Sequence, residues 1–209
     1  MLATASPPGP PRCRAKVRDK DVRLFVALDV PDRVREALAE LSARLKKTCL
    51  SARWMRLESV HITLTFIGEV SLETVEKIRE ALGSLPQFPA ILLRFAGLGF
   101  FPNARRPSVF WAGVEADPPL AALARAIEAK LEPLGIPAEK REFHPHLTLA
   151  RFDSSQGTQA LVTAVEALGA PEFGSETFHE FHLYQSVLKH SGAEYTRLVT
   201  YPLQRGTAS

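Results

Sequence analysis

Two short segments in distant parts of the chain carry one pattern: His61-Ile62-Thr63-Leu64 and His146-Leu147-Thr148-Leu149. Each alternates polar and apolar residues, the mark of a strand with one buried face. Successive side chains on a strand point to opposite sides, so His61 and Thr63 project together while Ile62, Leu64 and Phe66 face the core. His146 and Thr148 likewise share a face, backed by Leu147 and Leu149. With twelve threonines in 209 residues, six histidines should meet a His-x-Thr triplet only roughly 0.3 times by chance. Only a two-lobed fold that brings the two strands together could unite the copies.

The rest of the chain interleaves strand and helix signals around these two. Residues 22–30 are β-branched and aromatic and end at Pro31; Val34, Leu38, Leu41 and Leu45 then recur at helical spacing. The strand over 60–68 is expected to end at Gly68. Ser71 opens a second helix bearing Val75, Ile78 and Leu82. Strands are expected over 90–100 and 107–115, joined through Pro-Asn-Ala-Arg-Arg-Pro. A helix from Pro118 carries Leu120, Leu123, Ile127, Leu131 and Leu134 and stops at Gly135. After a strand over 146–152, Leu161, Val165 and Leu168 mark a fourth helix, and two strands around a Ser-Gly turn close the chain. This order makes an α+β fold with mostly antiparallel sheets, nearly repeating itself with one His-bearing strand in each half.

Composition narrows the classes. A chain with 45% hydrophobic and 23% charged residues is ordinary globular material, which excludes whole-chain disorder, collagen and coiled coil. No apolar run approaches the ~20 residues of a spanning helix, so no membrane role is expected. A formal charge of +3 and a pI near 9.0 permit a phosphate-bearing partner without demanding one. Cys13 and Cys49 make neither a zinc cluster nor a disulfide framework, which points to a reducing, cytoplasmic home. Residues 1–21 are Pro-rich and basic, lack the apolar core of a secretory signal, and read as a flexible leader. The domain is expected over 22–203, with 204–209 a polar tail.

Two imidazoles beside two hydroxyls suit a phosphodiester. A neutral histidine can take a proton from the attacking oxygen and a protonated one can give a proton to the leaving alkoxide. The threonine hydroxyls can donate to non-bridging oxygens. No carboxylate cluster for Mg²⁺ is evident. Against this stands the reading of His and Thr as ordinary β-sheet residues, and of His144 with His146 as zinc ligands lacking a third.

Other residues keep two readings. Arg151, five positions after His146, belongs on the opposite strand face unless the strand twists or ends; it is a phosphate anchor or a rim charge. Phe25 is a core aromatic or a base-stacking one. Trp54 and Trp111 read as packing, Arg105 and Arg106 as a loop that meets a polyanion or water. His179, His182 and His190 read as surface or structural residues.

The paired His-x-Thr-x motifs resemble the signature of the 2H phosphoesterases. Residues 23–31, 53–70, 99–114, 143–152 and 183–198 are similar, in that order, to its RNA 2′,3′-cyclic phosphodiesterase branch, the 2′-5′ RNA ligases. The resemblance covers about 22–203. It implies two pseudo-symmetric lobes with outer helices around a central cleft. It implies hydrolysis of an RNA-terminal 2′,3′-cyclic phosphate to a 2′-phosphate, without metal or cofactor, with ligation as the reverse reaction. His61 would then be the proton donor and His146 the acceptor, with Thr63 and Thr148 completing the catalytic set and Arg151 and Phe25 binding substrate. The expected partner is an RNA or nucleotide with a 2′,3′-cyclic phosphate end, met by a monomer. The alternatives are a nucleotide-binding module, or another 2H phosphodiesterase acting on RNA 3′ ends or small cyclic nucleotides.

Overall fold

The computed structural model describes residues 21–116, 118–154, 157–189 and 192–204. Residues 1–20 of the expected leader, the tail beyond Gln204, Cys13 and His190 lie outside them, whereas Asp21, expected in the leader, already belongs to the first strand. β1 (Asp21–Asp29) buries an unbroken run from Leu24 to Leu28, as a central strand must. α1 (Asp32–Leu45) follows Pro31 and turns Val34, Leu38, Leu41 and Leu45 inward. After the two-residue β2 (Arg53–Trp54) comes β3 (His61–Ser71). Ser71 then caps α2 (Leu72–Gly83), its Oγ accepting the Thr74 N–H.

β4 (Ile91–Phe101) and β5 (Val109–Ala116) form a hairpin, and α3 (Pro118–Leu131) leads through a 3-10 turn to Gly135. That glycine holds φ +82°, the left-handed conformation that ends the segment. β6 (His146–Arg151), α4 (Gln159–Leu168), β7 (Glu172–Phe178), β8 (Glu180–Lys189) and β9 (Gly192–Pro202) complete the order. No helix among the described residues is long and apolar enough to cross a membrane.

The strands make two antiparallel sheets, ordered β3-β1-β8-β9 and β2-β6-β5-β4-β7. One apolar core runs between them and the helices, from Leu24, Val34 and Ile62 to Phe95, Leu123 and Leu147. Fully buried side chains such as Leu38 and Ile78 each contribute about 1.5–3 kcal/mol of transfer free energy. The expected bilobal α+β architecture is what the chain adopts, with β3 and β6 packed together where the lobes meet.

Three local expectations are corrected. β7 has no counterpart in the sequence reading: its Glu-Phe-Gly-Ser-Glu-Thr-Phe is mostly polar because it is an edge strand, and its glutamates pair with Arg33 and Arg94. β3 does not end at Gly68, which takes φ +87°, but continues to Ser71. Nor does its alternation persist. Ala27 faces Thr63 while Val26 faces Thr65, so Leu64 is an extra residue, a β-bulge. Leu64 and Thr65 are therefore both buried, and Phe66, expected in the core, is turned out with 62% of its surface exposed.

Candidate active site

β6 repeats the same irregularity. Trp111 faces Thr148 but Phe110 faces Ala150, which leaves Leu149 as the extra residue. Leu149 and Ala150 are both buried, and Arg151 emerges on the face of His146 and Thr148. Simple alternation assigned Arg151 to the opposite face; the bulge reverses the phase after Thr148. The lobes thus match position for position: histidine, threonine, bulged leucine, then Phe66 in one and Arg151 in the other.

Each imidazole is held in the same way. His61 Nδ1 lies 2.9 Å from the Ser59 carbonyl, and His146 Nδ1 lies 2.8 Å from the His144 carbonyl. A carbonyl only accepts, so both Nδ1 atoms carry the hydrogen, and Nε2 is left to exchange protons. The strand immediately after each histidine makes this contact available, because the carbonyl two residues upstream lies just before the strand begins. Thr63 and Thr148 are half-buried beside their histidines.

The two imidazoles also share an electrostatic environment. Burial pushes His61 below the ordinary imidazole range; the Ser59 carbonyl and the Asp29 carboxylate pull it up, and His146 and Arg151 add to the lowering. Burial lowers His146 too, opposed by the His144 carbonyl and assisted by Arg151 and His144. Arg151 therefore lies within electrostatic reach of both histidines. Its charge also reaches Tyr195, whose hydroxyl burial holds above the ordinary phenol range.

Aromatic rings fix His61 in place. Phe25 stacks on it with centroids 4.5 Å apart, and Tyr195 meets it edge-on at 5.0 Å. Phe25 also stacks on Tyr184 at 5.3 Å and is only 3% exposed. Its ring is packing for the imidazole and offers no open face to a base. On the other lobe, Phe101 presents an edge-on contact to His146 at 5.0 Å and tilts against Trp111.

Sequence reasoning missed the residues that back His61. Asp29, its cross-strand partner, accepts a hydrogen bond from Tyr184 Oη and pairs with Arg197. Arg197 Nε also donates to Tyr184 Oη at 3.3 Å. His182, 2% exposed, places Nε2 3.7 Å from the Asp29 carboxylate and Nδ1 3.0 Å from Thr200 Oγ1. The available signal was the spacing Tyr195-x-Arg197, two positions apart and hence on one strand face.

Arg105 and Arg106 lie in the exposed loop after β4, where both backbone N–H groups donate to Asn103 Oδ1. Trp54 and Trp111 are half-buried packing residues. His144 is exposed, with Nε2 3.6 Å from Glu142. Among the described residues, no group of three His, Cys, Asp or Glu side chains is placed to hold a metal ion.

Known proteins similar to this chain identify its family. The model of the 2′-5′ RNA ligase superfamily matches residues 30–188. An RNA 2′,3′-cyclic phosphodiesterase of Aeropyrum pernix is 37% identical over 162 residues, covering 77% of this chain and 92% of the relative. One from Archaeoglobus fulgidus is 34% identical over 177 residues, covering 85% and 98%. Among solved structures, a protein of Thermus thermophilus superposes with a TM-score of 0.73 at 30% identity, covering 88% of this chain and 99% of that one. Escherichia coli LigT complexed with 3′-AMP gives 0.71 at 29% identity, with the same coverage. The sequence match and the shared fold both extend over most of the residues that carry the two bulged strands, and the chain belongs to the 2′-5′ RNA ligase superfamily.

Proposed function

We propose that the chain hydrolyses a 2′,3′-cyclic phosphate at the 3′ end of RNA to a 2′-phosphate, as an RNA 2′,3′-cyclic phosphodiesterase. The observation that carries this reading is the pair of imidazoles with identically fixed tautomers, each leaving Nε2 free, with one cation within reach of both.

His146 Nε2 takes a proton from water as its oxygen bonds to phosphorus. The P–O3′ bond breaks, and protonated His61 gives its Nε2 proton to O3′. The Asp29 carboxylate beside His61 supports this direction, since a negative charge favours the imidazolium that an acid must start from. Thr63 and Thr148 donate to the non-bridging oxygens, and Arg151 balances the charge that builds there. Both protons pass through side chains, so the cycle calls for no metal. A 5′-hydroxyl replacing water would give a 2′-5′ linkage by the same steps.

The test is product analysis with an RNA ending in a 2′,3′-cyclic phosphate. A 2′-phosphate end, formed in the presence of EDTA, is expected. A 3′-phosphate would reverse the leaving group, and binding without hydrolysis would make the domain a nucleotide-binding module.

A further inference from the structure

Two arginines stand directly opposite each other across β2 and β6, where Arg53 is the register partner of Arg151. Partners in an antiparallel pair project from one face, with Cβ atoms about 4.5–5.5 Å apart. The neighbouring pair shows which face this is. Ala150 is fully buried, and Trp54 turns inward to meet Phe110 edge-on at 6.0 Å. Arg53 and Arg151 therefore share the side of His146 and Thr148, to which the bulge at Leu149 brings Arg151. Like charges in that relation repel, a cost that an anion beside them removes. The register is firmly held: the Met55 N–H donates to the Leu149 carbonyl at 2.8 Å, and Trp54 Nε1 donates to the Cys49 carbonyl at 3.3 Å. Arg53 Nη2 donates to Asp153 Oδ1 at 2.8 Å, which uses one donor of the guanidinium fork, and 66% of the arginine side chain is exposed.

We infer that Arg53 binds the phosphodiester immediately 5′ of the nucleotide that carries the cyclic phosphate. The inference rests on the functional reading above. Arg151 lies within electrostatic reach of both imidazoles, so it serves the reacting phosphate. Arg53 stands one strand further out, about 4.8 Å across the sheet, on the edge strand β2. An RNA strand carries a negative charge at every linkage, so the anion next to the terminal phosphate is the linkage that precedes it. Two guanidiniums on adjacent strands then meet two consecutive phosphates, and Asp153 orients the outer one. The contact goes to backbone oxygens, so it tells a chain from a mononucleotide and reads no base.

The experiment uses two RNAs of one sequence, both ending in a 2′,3′-cyclic phosphate. In one the last internucleotide linkage is a phosphodiester; in the other it is an uncharged methylphosphonate. Wild-type protein should show a KM roughly 3–10-fold higher for the methylphosphonate RNA, the order of one exposed charge-assisted contact. Arg53→Gln should raise the KM of the phosphodiester RNA to that of the methylphosphonate one, with kcat little changed, and leave the methylphosphonate RNA unaffected. On the phosphodiester RNA the slope of log KM against log salt should fall by about 0.7, the share of one phosphate on a single strand. Arg53→Lys, which keeps the charge without the fork, should restore part of the difference. Turnover of the methylphosphonate RNA shows at the same time that the variant is folded. An equal loss on both RNAs, no loss on either, or wild-type protein that treats the two alike overturns the inference. Wild-type protein inactive toward both RNAs overturns the functional reading, and the inference with it.

Discussion

Asp29 and Gly113 hold equivalent positions in the two lobes: Asp29 faces His61 across β1 and β3, and Gly113 faces His146 across β5 and β6. The pseudo-symmetry fails where it would make both histidines alike. A carboxylate backs one imidazole, and the other has no side chain opposite it. Asp29→Asn keeps the shape and one acceptor oxygen, enough for Tyr184 or Arg197 but not both, while removing the charge that raises His61. The centre of the kcat/KM–pH bell, the mean of its two apparent pKa values, should move to lower pH. A bell that keeps its centre would separate Asp29 from the proton chemistry.

Gly113 is closed to substitution for a different reason. A Cβ there would come within 2.3 Å of the Ala96 carbonyl oxygen, a backbone atom that cannot swing aside. Gly113→Ala should therefore destabilise the fold by about 1–3 kcal/mol, read as a lower urea midpoint. An unchanged midpoint would mean that β4 and β5 can part at no cost.

Burial lowers both imidazoles, and on the proposed mechanism the sign of its effect on activity follows directly. The working pair needs one neutral and one protonated ring. With both groups pushed below the ordinary value of about 6.5, the kcat/KM maximum should fall on the acid side of that value. Measuring kcat/KM between pH 4 and 9 on a cyclic-phosphate RNA checks this, using roughly the range over which imidazoles titrate. A maximum at or above neutrality would contradict it.

Thr63→Ala and Thr148→Ala should each cost about 2–4 kcal/mol of transition-state stabilisation, the usual loss for one preorganised donor. Their melting temperatures should hardly change, because both side chains are only half-buried. A variant with full kcat/KM and a collapsed Tm would assign the hydroxyl to the sheet instead.

His61→Ala and His146→Ala should each lower the rate on the order of 10²–10⁴, and the double variant should be scarcely worse than the worse single. A p-nitrophenyl phosphodiester needs little help from an acid, so it should rescue His61→Ala alone. Rescue of His146→Ala alone would exchange the two roles.

Much of this architecture was legible in the residues. Helical spacing located Val34, Leu38, Leu41 and Leu45, a cap marked Ser71, and two matched strands announced the two lobes. The bulges were not legible. Leu64 and Leu149 look like ordinary inward residues of an alternating strand, and only their partners across β1 and β5 reveal the extra position. That one-residue shift decides where Phe66 and Arg151 point. Asp29 was equally hidden, since its partners Tyr184 and Arg197 come from strands at the far end of the chain. β7 escaped because an edge strand has no need of an apolar run.

The carbonyls of Ser59 and His144 occupy one nitrogen of each ring, so neither imidazole can accept a proton on one side and release it from the other. On the proposed chemistry, a turnover ends with His146 charged and His61 neutral, the reverse of the starting arrangement. The resting state is regained only when a proton leaves and another enters through the cleft that held the substrate. The catalyst is therefore a one-door device, and it cannot be recharged while the product still stands in the doorway.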